Sequence, residues 1–195
     1  MVTHNTTRAL GALALLGALS LTACDSGAPD GNAGEEELIT QVTLSLTPTS
    51  STASPVTIQA NFDADGTNPT FTPTALALEP GTTYNGSIQL RDTFNDDDIT
   101  EEIEEESEEH LFRYALSPAS LGTVTVTDSE SDYTSEDENG GDYAVGLTFQ
   151  VTTAAGASGT GTMNVLLYHF DEGPKTSSTA TSDEIDVDVA FPVSF

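Results

Sequence analysis

From residue 37 to the end of the chain, apolar and polar side chains alternate with period two in one segment after another, the signature of half-buried strands. Leu38, Thr40, Val42, Leu44 and Leu46 share one parity, with a slip near Ile39, and Val56, Ile58, Ala60 and Phe62 repeat the pattern. Residues 71–78 predict a further strand that Pro73 shortens or confines to an edge, because proline cannot donate to a ladder. Residues 110–117, 122–127, 143–153 and 159–170 read as strands, the last two bracketing 154–158 as a hairpin connection. Residues 128–142 read as a long acidic loop between them, and 173–181 as another loop. The chain ends on Ile185, Val187, Val189, Phe191, Val193 and Phe195, with Asp186 and Asp188 on the opposite face. Clusters of Gly, Pro, Asp and Asn separate these runs, so the pattern predicts an all-β domain of about nine strands.

One stretch breaks the alternation. DDDITEEIEEESEEHLFRY, residues 96–114, predicts a short acidic helix: Asp98 caps it, Glu101 stands where a capping box places its reciprocal partner, and Ile99 and Ile103 share one face. Ser107 and His110 continue that stripe. Nearly every other position is Glu, and like charges four residues apart cost about 0.2–0.5 kcal/mol per pair. A helix of about three turns with this charge does not hold alone, so its two isoleucines must dock on the strands.

The phrase Leu78-Glu79-Pro80-Gly81-Thr82-Thr83-Tyr84, followed by Ser87-Ile88-Gln89-Leu90, resembles the tyrosine corner of fibronectin type III and other immunoglobulin-like sandwiches. The resemblance implies a Tyr84 hydroxyl bonded back to upstream backbone where the chain passes between strands. The fold expected is an immunoglobulin-like β-sandwich of about nine strands carrying one short acidic helix as an insertion.

Ahead of the strands, Arg8 and an apolar run over 9–21 end in Leu21-Thr22-Ala23-Cys24. The run is short for a membrane span, and the tetrapeptide resembles a bacterial lipobox. The organisation expected is a lipoprotein signal peptide over 1–23, lipidation of Cys24, a flexible Gly/Ala/Pro tether over 24–36 and the sandwich over 37–195. Such a protein sits in the cell envelope, lipid-anchored to the outer or inner membrane and facing periplasm or exterior. With one cysteine in the chain, an intramolecular disulfide is excluded.

Charge narrows the partners. The chain carries 32 acidic residues against four Lys or Arg, for a net charge of −28. Nucleic acid and other polyanions are disfavoured on Coulomb grounds, and so acidic a surface suits very salty water. Arg91, Arg113 and Lys175 are the cations expected to offset it.

EEELITQVTLSLTP, LEPGTTYNGSIQL, DDDITEEIEEESEEHLF and DEIDVDVAFPVSF, in that order, resemble a family of small acidic lipoproteins of Bacteroidota-like environmental bacteria. Some members are labelled type 1 periplasmic binding fold superfamily protein. The fold that label names needs alternating βα units, which this pattern lacks.

Candidate chemistry is sparse. Asp63, Asp65 and Asn68, and separately Glu136 and Glu138, place oxygens on near-alternate residues around a turn glycine, so calcium is the ion these loops would suit. His110 and His169 with Glu106 or Glu109 would make a site of two histidines and one carboxylate if the fold brought them to one pocket. His110, among carboxylates at a helix C-terminus, is expected to favour its protonated form, and a contact with a neighbouring Glu also accounts for it. No nucleophile elbow is present and His is scarce, so no catalytic residue is assigned and no enzyme is expected. The reading is a lipid-anchored envelope protein acting as a structural module or binding another envelope protein. The alternative is a calcium- or metal-dependent binding domain.

Overall fold

The computed structural model describes residues 38–50, 53–63, 68–135 and 140–195. They fall within one compact unit, Ala33–Phe195. Two sheets form a sandwich. The first has the order β3-β2-β1-β5-β8-β7, built from β1 (Gln41–Pro48), β2 (Val56–Asn61), β3 (Thr70–Thr72), β5 (Thr83–Arg91), β7 (Gly122–Val126) and β8 (Thr148–Thr153). The second has the order β4-β10-β9-β6, from β4 (Leu76–Ala77), β6 (His110–Ser117), β9 (Thr160–His169) and β10 (Glu184–Ser194). The described pairs are antiparallel apart from β4 on β10.

Along β1, β9 and the part of β10 from Val187 onward, the alternation read from the chain is the alternation of burial. Val42, Leu44 and Leu46 of β1, Met163, Val165 and Leu167 of β9, and Val187, Val189, Phe191 and Val193 of β10 are all buried in one core. Each such side chain contributes about 1.5–3 kcal/mol on leaving water. Pro73 does more than shorten a strand: β3 ends at Thr72 on the edge of the first sheet, and the chain resumes as β4 on the edge of the second. The loop over 154–158 likewise passes between sheets, since β8 pairs with β5 and β7 while β9 pairs with β6 and β10. The expected hairpin is therefore absent. Its small residues serve a crossing, with Ala157 buried and Gly81 packed 3.4 Å from Ala155 by the position a Cβ would take.

The corner is built as the phrase suggests. Tyr84 is buried, and its hydroxyl accepts the Glu79 amide at 2.9 Å, five residues upstream. Gly81 turns the chain there with φ +66°, a conformation that costs glycine little.

Helix α1 (Ile99–Glu105) follows β5 and is nearer two turns than three. Asp98 caps it by accepting the Thr100 amide at 3.2 Å, while the Glu101 amide goes to the Asp98 carbonyl, so the cap is made one residue earlier than a capping box would make it. Ile99 and Ile103 are buried, and Thr100 locks the helix to β5 by accepting the Leu90 amide and donating to the Leu90 carbonyl. Glu102 and Glu104 have their carboxyls held above the ordinary value, first by partial burial and then by neighbouring carboxylates. No helix among the described residues is long and apolar enough to cross a membrane.

Candidate functional site

β6 and β9 run antiparallel with His110 directly opposite His169, so the two imidazoles stack with centroids 4.6 Å apart and planes 22° from parallel. Both are buried. The turn from α1 into β6 brings the Glu106 carbonyl to 3.1 Å from His110 Nδ1. A carbonyl only accepts, so Nδ1 donates the proton.

The third member comes from β10. Register slips between Ile185 and Val187, where β10 carries one more residue than β9. Parity reverses there: Ile185 turns outward, 48% exposed, and Asp186 turns in, its side chain only 6% exposed. Its carboxylate lies 3.8 Å from His110 Nε2 and 3.7 Å from His169 Nδ1. A carboxylate oxygen of Glu106 and one nitrogen of each histidine also lie within 4.8 Å of one another. Burial, then the neighbouring His169, pulls His110 down to about 4 despite the Glu106 bond. The expected protonated histidine is thus corrected. Its ring is fully buried, and desolvation outweighs the Glu106 carbonyl bond that favours the charged form.

A second buried polar cluster adjoins the first. Lys175, counted from sequence among the cations offsetting the surface, is 1% exposed. Its Nζ is 2.6 Å from Glu130 Oε1 and donates to the Ser107 carbonyl, and its amide donates to the Glu108 carbonyl at 2.8 Å. Burial holds the ammonium below its ordinary value, against the pull of Glu130, Glu108 and Asp128. Glu130 also accepts the Tyr143 amide at 2.9 Å. Asp128 accepts the Gly146 and Thr148 amides, each at 2.8 Å, and the Tyr133 hydroxyl at 2.6 Å. Burial and then that bond drive Tyr133 far above the ordinary tyrosine range. Within the acidic loop expected over 128–142, Glu130–Asp132 form a 3-10 turn; Asp128 and Glu130 are buried while Asp132 stays exposed.

The structure brings His110, His169 and Glu106 together and adds Asp186, which the alternation had placed on the solvent face. Of the proposed calcium ligands, Asp63 and Asn68 are exposed at the two ends of their loop. Asp65, Glu136, Glu138 and Cys24 lie outside the described residues. Compared with known proteins, the chain matches no family model, no curated protein and no solved structure.

Proposed function

We propose that this chain is a lipid-anchored protein of the cell envelope, whose immunoglobulin-like sandwich serves outside the cytoplasm as a structural or partner-binding module. The observation that carries the reading is Leu21-Thr22-Ala23-Cys24 at the end of an apolar run, ahead of a sandwich whose strands begin at Gln41. Acyl chains on Cys24 would contribute about 0.8 kcal/mol per buried methylene, enough with several chains to hold the protein on a membrane. Phe94 suits the meeting with a partner. It is 61% exposed at the tip of the turn between β5 and α1, a turn held rigid because Asp92 accepts the Phe94 amide at 2.8 Å and Asp92 and Asp97 exchange backbone bonds. A large aromatic presented on fixed backbone loses little entropy on binding, the property of an interface anchor.

Cys24→Ala is expected to leave an unprocessed or soluble chain, read by cell fractionation and by incorporation of labelled palmitate. Incorporation at the wild-type level would end the anchor reading. A photocrosslinking residue at position 94 is expected to capture envelope proteins more strongly than one at exposed Thr123; equal capture removes Phe94 from the interface.

A further inference from the structure

We propose that His110, His169, Asp186 and Glu106 form a buried structural site for one divalent transition ion of the zinc class, at the end of the sandwich beside α1. The site stands independently of the envelope anchor. Three observations converge on it. The first is spacing. Atoms bound to one ion at about 2.1 Å lie no more than about 4.2 Å from each other. The Asp186 oxygens stand 3.8 Å from His110 Nε2 and 3.7 Å from His169 Nδ1, too far for direct hydrogen bonds and within that span. One oxygen of Glu106, which is half-buried, and one nitrogen of each imidazole lie within 4.8 Å of one another, which makes Glu106 the fourth candidate ligand.

The second is orientation. The Glu106 carbonyl fixes the proton on His110 Nδ1, which turns the Nε2 lone pair toward Asp186. This is the arrangement found where a ligating imidazole is oriented by a backbone acceptor behind it. The facing atoms are screened from solvent: His110 is fully buried and the Asp186 side chain is 6% exposed, so an ion held between them would sit in a place of low dielectric.

The third is charge and access. Imidazole ligates in its neutral form, so two of them with two carboxylates would balance a divalent ion, and the nearby ammonium of Lys175 is held by Glu130. Imidazole ligands select borderline transition ions over calcium or magnesium, which take oxygen. With His110 fully buried and His169 only 3% exposed, the site is closed in the manner of structural rather than catalytic zinc.

The test uses the full-length chain, stripped with chelator and titrated with Zn(II) and with Co(II) as a spectroscopic substitute. One equivalent of tightly held ion, a rise in melting temperature, and visible cobalt absorption are expected. His169→Gln and Asp186→Asn are each expected to weaken binding by more than the ~10–100-fold typical of losing an outer-shell partner. Circular dichroism and the melting temperature of the stripped variants verify that they fold. Failure of the wild-type chain to bind at micromolar free zinc, or wild-type affinity in both folded variants, would overturn the site. So would an equal rise in melting temperature with calcium at matched ionic strength.

Discussion

Tyr84 shows how much one side chain can hold. Its ring lies in the core and its hydroxyl accepts the Glu79 amide, so a single residue joins the entry of β5 to the segment leaving β4. Tyr84→Phe keeps the ring and leaves that amide without its acceptor. We expect a loss of about 1–2 kcal/mol in urea denaturation, and an unchanged midpoint would show that the corner bond carries no stability. Tyr84 was legible because its spacing from Leu78 and Pro80 is a local signal. Asp186 was not. By parity it pairs with Asp188, yet one extra residue in β10 turns it against two histidines and leaves Ile185 in solvent. A bulge reverses every inference drawn from alternation on its far side.

Elements are joined here by buried charge as well as by the core. Lys175 lies in the loop before β10, Glu130 in the 3-10 turn after β7, and Ser107 in the turn from α1 to β6; one ammonium ties all three. Lys175→Met is expected to cost about 3–5 kcal/mol, because Glu130 would keep its charge in a buried place without a counterion. Lys175→Met combined with Glu130→Gln should recover most of that loss, since glutamine still offers the Tyr143 amide an oxygen. Chemical denaturation of both variants decides the matter, and a double variant no more stable than the single one would assign the effect to packing alone. The acidic helix was legible as an element, its cap, its apolar stripe and its need to dock all being written in ten residues. Where it docks was not: Thr100 and Leu90 meet only because β5 folds back beside α1.

At the scale of the whole molecule, net charge dominates. With Lys175 buried, Arg91 and Arg113 are the described cations left to offset the acidic surface, and Arg91 is already engaged with Asp96 at 3.0 Å and Asp98 at 3.7 Å. Self-repulsion therefore opposes folding at low salt. Raising salt from 0.1 M to 1 M shortens the Debye length from about 10 Å to about 3 Å, so the melting temperature should climb with potassium chloride. Hydrogen exchange over 98–109 should slow before that of the strands, because the like-charged pairs of α1 relax first. A melting temperature flat from about 0.1 M to 3 M would refute the reading of a salt-adapted surface. The amino-acid sequence by itself determined most of the described strands, the acidic helix α1, the Tyr84 corner and the charge, since each rests on periodicity or composition within a few neighbouring residues. Only the tertiary structure decided that 154–158 crosses between sheets, that Lys175 is interior, and that Asp186 meets His110 and His169. Those outcomes depend on which segments, tens of residues apart, come to lie against one another, and on a one-residue slip between two strands that alternation alone does not encode.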